Sequence, residues 1–230
     1  MKINEVKELA NRLEDLLPQT QCTKCGYPDC RGYAQALAQG NVPPNQCPPG
    51  GVEGIKRLSH VLAPIYPQAA FDLHPNINSK CGIERPRAVA FIDPQKCIGC
   101  TLCIQACPVD AIIGASKQMH VVLASWCTGC DLCIPPCPVD CISMLNITGN
   151  ETGWDAWSTE HARLARQRYH EREERLDREQ KENDERLAKK AAVKLATINA
   201  ERPNSAEEKK EKERKRAIIA AAIARAQKKS

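Results

Sequence analysis

The sequence predicts an α+β chain whose small domains are held together by metal rather than by a large apolar core. Three observations predict this. One cysteine pattern occurs twice between Cys97 and Cys141, a separate set of four cysteines lies between Cys22 and Cys47, and of 230 residues only 4% are aromatic while fourteen are cysteine. Past residue 154 the chain becomes a run of charged residues. The organisation expected is a small helical four-cysteine domain at 1–62, a linker at 63–86, a domain built on the duplicated motif at 87–150 and a charged, basic, helical or disordered tail at 151–230.

Residues 1–17 place Ile3, Val6, Leu9, Ala10, Leu13, Leu16 and Leu17 three and four apart with acids and bases between them, the pattern of an amphipathic helix. Pro18 stops it. The four cysteines that follow, Cys22, Cys25, Cys30 and Cys47, read C-x2-C-x4-C-x16-C, with a short helical pattern ending at Gly40 between the third and the fourth. Beside the motif below, four thiolates in a reduced compartment suit one iron–sulfur cluster, with structural zinc as the bland alternative. Gly50-Gly51 lacks the G-x4-G-K-[ST] spacing of a nucleotide loop and reads as a tight turn into a helix at 52–62. The amide dipole of that helix is placed to balance an anionic cluster at Cys47.

Residues 63–86 hold Pro64, Pro67, Pro75 and Pro86 and read as a linker, with Cys81 alone in it and assigned no role. Ala88-Val-Ala-Phe-Ile92 is a short apolar strand, and His120-Val-Val-Leu-Ala124 stands before the second motif in the same way.

The duplicated motif runs Cys97, Cys100, Cys103, Cys107-Pro108 and again Cys127, Cys130, Cys133, Cys137-Pro138, each C-x2-C-x2-C-x3-C-P. Between 97–112 and 127–142, eleven of sixteen positions are identical, so the duplication is internal. This spacing is the ligand run of a two-cluster bacterial ferredoxin, in which three thiolates hold one cluster and the fourth crosses to the other. Cys107 is then expected to complete the set of Cys127, Cys130 and Cys133, and Cys137 that of Cys97, Cys100 and Cys103. Strand, cluster loop, short helix and strand should occur twice. Zinc would want two separated C-x2-C pairs, and a disulfide framework would want an export signal, which the polar start Met1-Lys-Ile-Asn-Glu lacks. Cys141, where the first copy has Ala111, is expected to pack as a small buried residue beside a cluster. With the four-cysteine set, three [4Fe-4S] clusters are expected.

Residues 16–145 resemble the B subunit of the Rnf (also called Rsx) membrane electron-transport complex. The resemblance rests on Leu17-Pro-Gln-Thr-Gln-Cys22, Cys25-Gly-Tyr-Pro28, Cys30, Tyr33-Ala34, Cys47-Pro-Pro-Gly-Gly51, Cys97-Ile-Gly-Cys100, Ala106-Cys107-Pro-Val-Asp-Ala-Ile-Ile-Gly-Ala115, Met119-His120 and Cys127-Thr-Gly-Cys130. It implies an amino-terminal four-cysteine domain before a two-cluster ferredoxin, and electron passage within a complex that couples ferredoxin and NAD chemistry to ion transport. The ligand cysteines carry over one by one. Family members usually open with a membrane-spanning helix, whereas here about fifteen residues precede Leu16. The charged tail also falls outside the family core.

Residues 155–230 hold 21 Lys+Arg against 15 Asp+Glu, net +6, which leaves 12 against 13, net −1, for 1–154. Ser205-Ala-Glu-Glu208 reads as a capping box that starts a second helix after Pro203. The scattered Leu164, Leu176, Leu187 and Leu195 keep no heptad, so the tail reads as solvated helix or disorder. Trp154 and Trp157 are expected to pin it onto the body. The longest apolar run, 217–224, has eight residues, too short to cross a membrane.

His60, His74, His120, His161 and His170 form no H-E-x-x-H, and no G-x-G-x-x-G follows a strand. The chemistry expected is therefore that of an electron carrier rather than a stand-alone enzyme, relaying electrons between a low-potential donor and a larger oxidoreductase. A soluble polyferredoxin, a nucleic-acid-associated iron–sulfur protein using Lys212-Glu-Arg-Lys-Arg216, and a redox sensor are the alternatives. The tail has no aromatic residues around that run for base stacking, which counts against nucleic acid. Redox proteins, among them Rnf-like subunits, are the expected partners. The location is expected to be cytoplasmic, with the basic tail touching the membrane face.

Overall fold

A computed structural model describes residues 3–67 and 76–227; His74 and Pro75 of the predicted linker lie outside them. The chain divides into two compact units, Met1–Arg172 and Glu173–Ser230.

The first unit opens with helix α1, Ile3–Asp15, which buries Leu9, Ala10 and Leu13 as the periodicity demands. They pack against Tyr33, Ala34 and Leu37 of α2 (Cys30–Ala38) and Leu58 and Leu62 of α3 (Gly51–Leu62). Asp29 caps α2, its Oδ1 accepting from Gly32 N at 2.6 Å. Between α1 and α2 the backbone takes positive φ at Gln19, Gln21 and Thr23, a tight zigzag. Two buried glutamines tie it to the helices on either side: Gln19 Nε2 donates to Glu14 O in the last turn of α1 at 2.6 Å, and Gln21 Oε1 accepts from Cys30 N at the start of α2 at 2.8 Å. The buried Tyr33 hydroxyl donates to Pro43 O at 2.9 Å and accepts from Gln46 N at 3.1 Å, fixing the chain just before Cys47.

Glu84 accepts from Val52 N at 2.9 Å and from Thr152 Oγ1 at 2.7 Å. One amino-terminal amide of α3 thus faces a carboxylate, while the amide of Gly50 at the cap of the same helix bonds the Cys47 thiol and favours its charged form, in line with the expected balancing.

Two small antiparallel sheets follow. Strand β1 (Ala88–Ile92) pairs with β4 (Ile142–Asn146), Ala88 opposite Asn146 and Ile92 opposite Ile142. Strand β2 (Ile112–Ile113) pairs with β3 (Val121–Val122), Ile112 opposite Val122. Each motif therefore closes on a strand belonging to the other copy's side of the fold. The repeat shows in the backbone too. Thr101 and Asp131, Gly99 and Gly129, and Asp110 and Asp140 share positive φ pairwise. A Cβ on Gly99 would stand 2.4 Å from Gln118 N, and one on Gly129 2.5 Å from Ala88 O, so both loops require glycine.

The copies differ where a short helix was expected twice. The first copy forms α4, Leu102–Ala106, but the second runs through turns. Gln105-Ala106 is replaced there by Pro135-Pro136, which removes two amide donors and clashes with a continuing helix.

Helix α5, Thr159–Ala200, begins in the first unit, burying Ala162 and Ala165 in the core around the duplicated motif. Arg166 reaches Glu14 at 3.2 Å and also pairs with Asp15, while Tyr169 OH donates to Asp29 Oδ2 at 3.1 Å. Trp157 is buried, donates Nε1–H to Pro18 O at 2.8 Å and lies 4.4 Å beneath the Arg87 guanidinium, which fulfils the pinning expected of it. Arg57 covers Trp154 at 4.5 Å.

The second unit holds the rest of α5 and α6, Ala206–Gln227. Glu208 N donates to Ser205 Oγ at 3.1 Å and Glu208 Oε2 accepts from Asn204 N at 2.6 Å, a variant of the expected capping box. Lys212 Nζ donates to Asn199 O at 3.0 Å and Glu201 O at 2.5 Å, covering carbonyls that the end of α5 leaves free. Among the described residues, no helix is long and apolar enough to cross a membrane.

Candidate metal centres

The twelve predicted cysteines gather in three places. Cys22, Cys25, Cys30 and Cys47 line one small cavity together with Leu17 and Tyr33. Burial pushes the Cys25 thiol up to about 11 and raises those of Cys30 and Cys47 well above the ordinary value, with the neighbouring thiols adding to the effect. Such a set ionises only when a cationic core arrives to balance it, which is the donor chemistry that an iron–sulfur cluster requires. Among the described residues, no three His, Cys, Asp or Glu side chains converge as on a single ion.

A second small cavity is lined by Cys127, Cys130 and Cys133 together with Cys107, contributed by the other copy of the motif. Burial raises Cys130 and Cys133 to about 12, and Cys107 is among the thiols that add to both shifts. Backbone amides aim at these sulfurs: Ala111 N donates to Cys107 Sγ at 3.2 Å and Ala90 N to Cys127 Sγ at 3.5 Å.

Cys97 and Cys100 lie near enough to Cys103 to raise its thiol, and Cys137 is the fourth residue expected with them. Cys141 joins Cys137 to Cys97, because its Sγ lies 3.4 Å from Cys137 Sγ and its thiol also bonds Cys97. Cys141 N donates to Cys137 Sγ at 3.4 Å, the counterpart of the Ala111 bond. Burial and the Cys137 thiol push Cys141 up to about 12. It is 6% exposed, the small buried neighbour that its position suggested. Cys97 and Cys100 are partly exposed, whereas the four thiols of the second set are all buried.

The four-cysteine cavity adjoins the second set. Thr128 Oγ1 donates to Thr20 O at 3.0 Å, and Lys24 pairs with Asp131 at 2.8 Å. Arg85 also pairs with Asp131. Cys81, partly exposed, lies near enough to Cys25 to raise its thiol slightly, although it lines neither cavity.

Sequence reasoning missed His120. It is 1% exposed, and its Nδ1 lies 3.2 Å from Cys103 Sγ. Seventeen residues separate the two, and only the β2–β3 pairing brings them together, so spacing held no signal for it.

Residues 90–144 match the family of "4Fe-4S dicluster domain" proteins, and residues 17–49 match one described as "Putative Fe-S cluster". Over 120 residues, the chain is 54% identical to the B subunit of the ion-translocating oxidoreductase complex of Thiobacillus denitrificans, covering 52% of this chain and 60% of that one. Its namesake in Azoarcus is 52% identical over 115 residues, 50% of this chain and 58% of that one. The corresponding protein of Stutzerimonas stutzeri is 52% identical over 146 residues, 64% of this chain and 71% of the relative. The chain thus spans about three-fifths of the first two relatives and more of the third. With 52% identity over 146 residues that cover 71% of the Stutzerimonas protein, this chain belongs to the family of the B subunit of the ion-translocating oxidoreductase complex, the Rnf or Rsx complex.

Proposed function

We propose that the chain carries three [4Fe-4S] clusters and relays single electrons between a low-potential donor and a larger oxidoreductase, as the B subunit of an Rnf-like assembly. The ligand sets are Cys22, Cys25, Cys30 and Cys47; Cys97, Cys100, Cys103 and Cys137; and Cys127, Cys130, Cys133 and Cys107. Bound clusters of this kind supply one-electron redox chemistry, and the protein tunes them through hydrogen bonds and solvent access. The observation that carries this reading is Cys107, which crosses between copies to line the cavity of Cys127, Cys130 and Cys133.

What the residues do follows from where they sit. The amides of Ala90, Ala111 and Cys141 hold sulfurs by backbone hydrogen bonds that need no side chain to be ordered. The Thr128–Thr20 bond and the Lys24–Asp131 pair keep the four-cysteine cavity beside the second set. Electrons would then pass from the four-cysteine site to the second set and on to the first, whose Cys97 and Cys100 reach the surface. Other Rnf-like subunits are the partners proposed. Contact with the cytoplasmic membrane face is assigned to the basic residues beyond Arg172.

Cys107→Ser tests the reading. Its expected effect is loss or distortion of the cluster on Cys127, Cys130 and Cys133, seen by electron paramagnetic resonance, with the first-motif cluster retained. Loss of the first-motif cluster alone would overturn the crossed assignment.

A further inference from the structure

The twin sites of the duplicated motif are alike in backbone but not in what surrounds their sulfurs. Cys107 and Cys137 each accept an amide hydrogen bond from the residue four places on. Cys103 has something that Cys133 lacks. The His120 ring is 1% exposed with Nδ1 3.2 Å from the Cys103 sulfur, whereas the ladder Ile112–Val122 answers Ile142–Ile92 in the other copy, which makes the counterpart of His120 the buried Ala90, whose side chain has no donor.

The fold is built to hold that ring. Gly114, at the end of β2, has φ +154°, and a Cβ there would stand 2.4 Å from His120 Cδ2, so any larger residue would evict the imidazole. His120 directly precedes β3, and the two-residue ladder from Ile112 to Val122 fixes its backbone. Among the described residues, Nε2 has no hydrogen-bond partner, so Nδ1 makes the one polar contact of the ring. A ligand thiolate can only accept, so Nδ1 must carry the proton.

We propose that His120 donates an Nδ1–H hydrogen bond to Cys103 Sγ and thereby raises the reduction potential of the first-motif cluster relative to its twin. The inference rests on the reading of Cys103 as a ligand. Reduction adds one electron to the cluster and moves no proton; the hydrogen bond stabilises the more negative state more than the oxidised one, and potential rises with such bonds to sulfur. His120 is a positioning residue in this account, since it acts through Cys103. The consequence is a downhill step from the second set to the first within one domain.

The test uses the full chain, purified anaerobically with clusters in place. Redox titration followed by electron paramagnetic resonance compares the unsubstituted protein with His120→Leu and His120→Gln. One of the midpoint potentials is expected to fall in His120→Leu while the others stay, with partial recovery in His120→Gln, whose amide N–H can reach the sulfur. Because His120→Leu could also lower cluster loading, the hydrogen bond is also sought directly, in unsubstituted protein labelled with 15N-histidine. Pulsed paramagnetic resonance of the reduced protein should show a 15N coupling to one cluster, absent in His120→Gln. Unchanged potentials at intact iron content, or no 15N coupling, would overturn the inference. Iron short by about four per chain in the unsubstituted protein, with the first-motif signal missing, would instead bring down the ligand reading beneath it.

Discussion

Burial decides the chemistry of the individual cysteines. From an ordinary value of 9.0, the thiols of Cys25 and Cys103 are pushed up to about 11 and those of Cys130 and Cys133 to about 12 by desolvation. A thiol whose pKa is higher folded than unfolded contributes stability that is full below pH 9 and is lost as pH climbs through the folded value. Metal-free, reduced protein should therefore melt at progressively lower temperature from pH 9 to pH 11 by circular dichroism. A profile flat over that range would contradict the burial argument. Cluster assembly carries the opposite signature, because each thiol must release its proton on binding. Cys141 and Cys81 line neither of the two cysteine cavities and are left out of the proposed ligand sets, so Cys141→Ser or Cys81→Ser should leave iron content near normal. Loss of a whole cluster from either would move that cysteine into a ligand set. The meeting of Cys107 with Cys127, Cys130 and Cys133 was legible in the sequence because C-x2-C-x2-C-x3-C-P encodes a local wrap plus one crossing. His120 was not, because its partner is fixed by a two-residue ladder that no pattern announces.

At the level of elements, periodicity disclosed what helices bury and prolines disclosed where they stop. Leu9 and Leu13 of α1 and Ile55, Leu58 and Leu62 of α3 are core residues at the spacing read from the chain. The second short helix failed for a reason also present in the sequence, Pro135-Pro136, which the similarity between the copies had outweighed. Docking of the first turns of α5 was illegible, because Ala162 and Ala165 look like any alanines in a charged helix. Glu14, 3% exposed between Arg31 at 2.8 Å and Arg166 at 3.2 Å, was hidden in the same way. The Trp157 ring joins this helix to the Pro18 carbonyl and to Arg87. Truncating a buried tryptophan costs about 3–5 kcal/mol, so Trp157→Ala should lower the thermal midpoint of cluster bleaching well below that of Trp157→Phe. Equal midpoints for the two variants would show that packing of the aromatic ring contributes little.

Taken whole, the molecule changes character at Arg172. The unit that follows, Glu173–Ser230, carries 17 Lys+Arg against 12 Asp+Glu, net +5, and is mostly exposed. Polybasic segments gain about 1 kcal/mol per charge near an anionic surface, screened over about 8 Å at physiological salt. A chain ending at Arg172 should keep its iron and lose a salt-sensitive association with anionic vesicles that the full chain displays. Ending the chain at Gly153 should do more harm, since it removes Trp157, Ala162 and Ala165 from the core. Equal vesicle binding by full and shortened chains at low salt would return the basic unit to a spacer. The central claim is that the twelve cysteines form three cluster sites, and it is tested most directly by iron and acid-labile sulfide analysis of anaerobically purified protein. The account predicts about twelve of each per chain, four for every cubane. About eight of each, accompanied by one zinc lost on Cys22→Ser, would contradict it.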